Sequence, residues 1–144
     1  MSAGRGIMQS EYYHNKEKDV NFLKIWVFTK DRNIANRYEK KTYLAEDRVN
    51  AFQTVVAPDD EAAVWINQEA WFSLGTLKAG FETTYKLHQQ GSGVYAFVIE
   101  GDAEVAGQSL SRRDGLTVED ATELKIKAGS DTEILLMEVP MVTG

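Results

Sequence analysis

Gly80-Phe81-Glu82-Thr83-Thr84-Tyr85-Lys86-Leu87-His88-Gln89-Gln90-Gly91-Ser92-Gly93-Val94-Tyr95-Ala96-Phe97-Val98-Ile99-Glu100-Gly101, continued through Val118, is the stretch that decides the fold class. It holds a strand pattern from Thr83 to Gln89, a glycine break at Gly91-Ser92-Gly93, and a second strand pattern from Val94 to Glu100. Because successive side chains of a strand point to opposite faces, Thr83, Tyr85, Leu87 and Gln89 share one face. Val94, Ala96 and Val98 do the same on the next strand. A turn at Glu100-Gly101-Asp102, a short run from Ala103 to Val105 and a turn at Ala106-Gly107-Gln108 follow. Short strands at regular spacing with glycine turns favour an antiparallel sandwich or barrel over a parallel α/β design.

Outward from this stretch the pattern repeats. Toward the C-terminus, strands are expected at Gly115 to Val118, Glu123 to Lys127 and Glu133 to Val139, with Ala128-Gly129-Ser130-Asp131 turning between the last two. Leu124 and Ile126 alternate with Glu123, Lys125 and Lys127, as in a half-exposed strand. Toward the N-terminus, Ala70 to Leu77, Ala62 to Asn67 and Gln53 to Ala57 read as strands, the last two separated by Pro58-Asp59-Asp60, where proline sets φ and aspartate caps its own backbone. Glu46 to Phe52 suits one helical turn or two, and Thr29 to Glu46 is a charged surface excursion anchored by Tyr38, Tyr43 and Leu44. Phe22 to Phe28, apolar and rich in β-branched and aromatic residues, is expected as a well-buried strand. Met1 to Val20 is polar, without either period, and reads as an arm or connector. No window carries the apolar stripe of a core helix. Eight or nine short strands predict an all-β chain, a jelly-roll β-barrel over residues 21–144 preceded by an extended N-terminal arm over 1–20.

Composition narrows the function. At 144 residues and 43% hydrophobic, the chain can bury one core. The absence of cysteine excludes disulfides, thiolate metal sites and cysteine nucleophiles. No apolar run reaches the roughly 18 residues of a membrane span, and Met1 to Glu11 lacks the apolar centre of a signal peptide, so a cytoplasmic location is expected. A net charge of −6 opposes binding to nucleic acid or an anionic membrane. Arg37 with Lys40-Lys41 is the one basic cluster, expected as a solvated loop. Ser109, Ser111, Asp114 and the histidines show no nucleophile spacing, no segment matches a phosphate loop, and Asp59-Asp60 and Glu46-Asp47 read as solvated acids.

Several segments resemble a known family. Phe81 to Gly101, then Asp102-Ala103-Glu104-Val105-Ala106-Gly107 and Arg113-Asp114-Gly115, is similar to the glycine-framed strand pair of the cupin superfamily. Gly6-Ile7-Met8-Gln9-Ser10-Glu11 followed by Phe22-Leu23-Lys24-Ile25-Trp26-Val27 resembles the middle of a pirin-type bicupin, and Trp65 to Ala70 and Trp71 to Gly75 fit the same reading. The chain therefore resembles the C-terminal cupin half of pirin-like proteins, the family that includes bacterial quercetin 2,3-dioxygenases, either as an N-terminally truncated bicupin or as a short relative.

The resemblance implies where metal ligands would fall. The paired histidines of the first cupin motif would lie near Leu87 and Gln89, its glutamate near Val94, and the histidine of the second motif close to Glu123 or Leu124. Only Glu123 offers a ligand. The family uses a divalent metal such as iron, yet no catalytic residue and no cofactor is assigned to this chain. His88, on the face opposite Leu87 and Gln89 by alternation, is expected as a surface or loop-packed residue, and His14 belongs to the polar arm. Gln9-Ser10-Glu11 resembles a His-Ser-Glu motif that supplies metal ligands to the N-terminal cupin. Glu11 is thus the one candidate metal ligand, useful only beside an intact N-terminal cupin and otherwise an exposed acid on the arm.

Tyr95 and Phe97 fall on the face opposite Val98, with Trp65, Trp71 and Phe72 on strands nearby. They are expected in the core, any exposed ones marking a surface for the missing half or a second subunit. The function implied is a metal-free, non-catalytic cupin module that supports a catalytic cupin or binds a protein partner. The alternative is a metal-dependent dioxygenase acting on quercetin-like flavonols. The partners implied are a second copy, as a homodimer, the missing N-terminal cupin half, or another protein.

Overall fold

The computed structural model describes Met1 and residues 22–141, and in them ten strands follow a single 3-10 turn at Ala45–Arg48. The strands are β1 (Phe52–Ala57), β2 (Val64–Trp65), β3 (Trp71–Leu77), β4 (Glu82–Lys86), β5 (Ser92–Glu100), β6 (Ala103–Val105), β7 (Gln108–Leu110), β8 (Gly115–Val118), β9 (Glu123–Ala128) and β10 (Thr132–Pro140). They form a six-stranded sheet in the order β2-β1-β3-β10-β5-β8 and a four-stranded sheet in the order β4-β9-β6-β7. Every pairing is antiparallel except β1 with β2. The two sheets pack face to face as the sandwich of a jelly roll.

Alternation decides what lies between them. On β5, Val94, Ala96 and Val98 are buried, and on β10 Ile134 and Leu136 join them. The opposing sheet contributes Tyr85, Val105, Leu124 and Ile126 to the same cluster. Odd-numbered residues of β10 and their neighbours face the other way, so the outer face of the large sheet carries its own apolar layer. Phe72 and Leu135 are buried there, with Leu74, Ile99, Met137 and Val139 around them. Val27 and Ile66 cover part of this layer, which places the N-terminal excursion outside the sandwich.

Turn geometry fixes the connections. Ala106 and Gly107 have φ of 50° and 80°, the two positive values that a tight hairpin between right-twisted strands requires, and Val105 pairs directly with Gln108. At Gly101 φ is 87°, and a Cβ there would run into the Asp131 carbonyl oxygen and Thr132. Gly101→Ala is therefore expected to destabilise the fold by at least about 2 kcal/mol, combining left-handed strain with overpacking. The urea unfolding midpoint reports it, and an unchanged midpoint would mean that the β5–β6 turn does not press on residues 131–132.

Three expectations change. Phe22 to Phe28 forms no strand with any described residue, and its large side chains are exposed instead of buried. A strand needs a neighbour for its backbone, and composition alone does not supply one. Gln108–Leu110 is a strand not foreseen, because three residues are too few to show a period. The strand expected to reach Gln89 stops at Lys86. The arm from Met1 to Val20 falls, apart from Met1, outside the described residues.

Candidate functional site

Where β4 stops, one end of the sandwich closes around a buried carboxylate. Glu138 lies on β10 between Trp71 of β3 and Val94 of β5. Its parity with Ile134 and Leu136 turns it inward, where it is 0% exposed. Four donor groups converge on its two oxygens. The Tyr85 hydroxyl donates to Oε1 at 2.9 Å. The His88 backbone N–H lies 2.9 Å from both oxygens, and the Gln89 N–H donates to Oε2 at 3.0 Å. His88 Nδ1 is 3.0 Å from Oε1. A carboxylate accepts at both oxygens and matches this set, and the network assigns the His88 proton to Nδ1.

These bonds explain the short strand. Past Lys86 the amides of His88 and Gln89 turn toward Glu138 instead of a neighbouring strand, so the carboxylate stands in for a ladder partner. His88 is thus loop-packed, as expected, but alternation misplaces its ring, since residue 88 is no longer in a strand. The ring stacks on Trp71 with centroids 4.9 Å apart and planes 1° from parallel, leaving 36% of the side chain exposed. Trp71 in turn donates its Nε1–H to Asp59 Oδ1 at 2.9 Å.

Tyr85 shows the electrostatic cost of the arrangement. Burial, then the Glu138 charge and the hydrogen bond to it, push its phenol well above the usual value, with Ser73 opposing weakly. On the rim, Gln89 Nε2 donates to Glu69 Oε2 at 3.1 Å and Lys30 Nζ stands 3.5 Å from Oε1. The Gln89 bond and the Lys30 charge hold the Glu69 carboxyl below its ordinary range.

The positions implied as metal ligands do not converge on a metal. Leu87 is a half-buried part of the apolar core, Val94 and Leu124 are buried in it, and Glu123 is exposed. Gln89 spends its side chain on Glu69 and its amide on Glu138. The inward carboxylate already accepts from four donors, and the one neighbouring imidazole nitrogen is engaged with it. Among the described residues no group of three or more histidine or acidic side chains could hold a metal. The donor chemistry of this end of the barrel does not fit a divalent cation. Glu11, Gln9 and His14 lie outside the described residues.

A second polar group gathers around Ala63, which shares a buried cluster with Trp71. Lys41, expected on a solvated loop, is anchored: it pairs with Glu39 at 3.2 Å and donates to the Ala63 carbonyl at 2.8 Å and to that of Glu61. Arg37 lies 4.4 Å over the Trp65 ring. Lys41 and Arg37 are thus both engaged within the chain. Glu138 itself escaped the sequence reading, although its even spacing from Ile134 and Leu136 was the signal that could have found it.

Residues 54–139 match the family model described as the quercetinase C-terminal cupin domain. The chain is 36% identical over 141 residues to a putative quercetin 2,3-dioxygenase of Pseudomonas aeruginosa, covering 96% of this chain and 60% of that protein. It is 29% identical over 143 residues to quercetin 2,3-dioxygenase of Escherichia coli K12, covering 99% and 60%. Among solved structures, YhhW from Escherichia coli superposes with a TM-score of 0.75 at 26% identity, over 83% of this chain and 50% of that one. The bacterial pirin YhhW in complex with nickel(II) superposes at 0.72 and 25%, over 79% and 48%. The chain spans about 60% of the length of these curated relatives.

Proposed function

The chain belongs to the family of quercetinase C-terminal cupin domains, and from that premise we propose that its barrel is a non-catalytic module, metal-free in itself, that supports a catalytic cupin. The observation that carries this is the Glu138 cluster. Among the described residues the one fully buried carboxylate is engaged in holding residues 88 and 89, and Leu87, Gln89, Val94, Glu123 and Leu124, where the family resemblance would put ligands of this barrel, are apolar, exposed or engaged. Such a barrel shapes and stabilises; it does not present an open coordination position to a substrate.

The competing reading, a metal-dependent dioxygenase acting on quercetin-like flavonols, draws on the names of the relatives and on the nickel complex of one of them. In that reading Glu11 supplies a ligand and the chemistry belongs to a cupin upstream of the one described here. Elemental mass spectrometry of the purified chain, untagged and dialysed against a small excess of iron, nickel, manganese or zinc, separates the two. No metal above background is expected. A stoichiometric metal that vanishes in Glu11→Ala, accompanied by oxygen-dependent loss of flavonol, would replace the module reading with the enzyme.

A further inference from the structure

Three rings follow one another in contact at the closed end of the sandwich. Trp71 lies face to face with His88, ring centres 4.9 Å apart, and the His88 ring centre is 6.0 Å from that of Tyr85. His88 Nδ1 also comes within 3.2 Å of the Tyr85 hydroxyl oxygen. At each end of this series an oxidisable ring carries a carboxylate on its polar hydrogen. The Trp71 Nε1–H donates to Asp59 Oδ1 at 2.9 Å, and the Tyr85 hydroxyl donates to Glu138 Oε1 at 2.9 Å. Indole and phenol give up a single electron more readily than any other side chain of this cysteine-free protein, and each becomes a far stronger acid when it does. A carboxylate already hydrogen-bonded to the ring is the acceptor that such a proton needs.

We propose that Trp71, His88 and Tyr85 form a one-electron relay, in which an oxidised Trp71 is reduced by the buried Tyr85. In the first step a small one-electron oxidant, an inorganic radical, takes an electron from Trp71 and is itself reduced, while the Nε1 proton passes to Asp59. In the second step an electron moves from Tyr85 to Trp71 across the His88 ring. The proton on Asp59 returns to Nε1, and the Tyr85 O–H bond breaks, its proton going to Glu138 Oε1. The products are an intact indole, a neutral tyrosyl radical and a protonated Glu138.

The surroundings fit each step. No two successive rings are more than 6.0 Å apart, well within electron-tunnelling range. Both proton transfers run along existing hydrogen bonds, inside the distance that positioned proton transfer requires. Burial and the Glu138 charge hold the Tyr85 phenol above its usual value, so at neutral pH no phenolate forms first and the electron and proton leave together. Glu138 is held by the amides of residues 88 and 89 and needs no reorientation to receive the proton. Its hydrogen bond to Tyr85 then persists with the direction reversed. Tyr85 is 6% exposed, which keeps a radical there from coupling with a second molecule. The neutral tyrosyl radical is also the more stable of the two at neutral pH, which sets the direction of the relay. The proposal is independent of the module reading, because it uses neither a metal nor an upstream cupin.

Pulse radiolysis of the whole chain tests it, with azidyl radicals, which oxidise indoles in preference to phenols at neutral pH. Trp26→Phe with Trp65→Phe leaves Trp71 as the only indole of the three in the sequence. In this background the indolyl absorbance is expected to decay as the phenoxyl absorbance grows, at a rate independent of protein concentration and slower in heavy water. Tyr85→Phe is expected to abolish that matched growth while the indolyl radical still forms, and His88→Ala to slow it by removing the ring between. Tyr38→Phe and Tyr95→Phe, which alter exposed tyrosines, are expected to leave it unchanged. Circular dichroism checks that each variant is folded. The proposal is overturned by growth that survives Tyr85→Phe or is lost in Tyr38→Phe or Tyr95→Phe, by a rate proportional to protein concentration, or by a rate unchanged in heavy water or in His88→Ala. Absence of an indolyl signal from the background protein overturns it too, since Trp71 is then not the point of entry.

Discussion

Glu138→Ala is expected to destabilise the barrel by about 3–5 kcal/mol, lowering the thermal midpoint by roughly 10–15 °C for a chain of this size. The effect comes from what is left behind. Removing the carboxylate strands the Tyr85 hydroxyl and the amides of His88 and Gln89 inside a closed end of the sandwich, each costing about 1–3 kcal/mol if water does not reach it. Part of that cost is recovered by local opening, which keeps the total below a plain sum. Glu138→Gln keeps the volume but turns an amide donor toward at least one of these donors, so about 3 kcal/mol is expected even without a cavity. A Glu138→Gln protein within about 0.5 kcal/mol of wild type in urea unfolding would mean that the amides of 88 and 89 do not depend on the carboxylate.

Tyr85→Phe should cost about 1–3 kcal/mol at neutral pH, by leaving Glu138 one donor short. Its larger effect is on alkaline stability. The folded phenol is raised above its ordinary value, so above about pH 10 the unfolded chain releases this proton while the folded chain keeps it. The stabilisation is complete below the unfolded pKa and is lost as pH rises toward the folded one, at about 1.4 kcal/mol per pH unit. Phenylalanine removes that slope. The wild-type advantage at pH 7 is therefore expected to shrink above pH 10 and to vanish near about pH 11.5 if it starts near 2 kcal/mol. Lysines and the other tyrosines titrate in both proteins and cancel in the difference. Parallel stability curves from pH 9 to about 11.5 would show that Tyr85 does not resist ionisation in the folded state.

The strands that alternate over five or more residues were legible from sequence, because there burial and period agree. Val94, Ala96 and Val98 face inward as expected, and β9 follows Leu124 and Ile126. The candidate site was not, for two physical reasons. Glu138 sits at an inward position of a strand whose solvent-facing Glu133 looks the same in composition, and only parity tells them apart. The amides that bind it come from where β4 ends, and that end is set by a contact with β10, fifty residues away along the chain. Phe22 to Phe28 failed for a related reason: its composition specifies a strand, but its ladder partner is not among the described residues.

The order in which the chain is made bears on the order in which it can fold. β10 is the last of the ten strands in sequence, yet it fills the slot between β3 and β5, pairing residues 132–138 with one and residues 133–140 with the other. Until residue 140 has been synthesised, β3 and β5 each offer an unpaired edge, and the apolar residues flanking them have no common sheet. The smaller sheet can assemble earlier, since the hairpin of β6 and β7 is local and β9 precedes β10. Completion must therefore wait for contacts of large sequence separation, which are slow to close. The nascent barrel is most open to misassociation in the interval just before its central strand arrives.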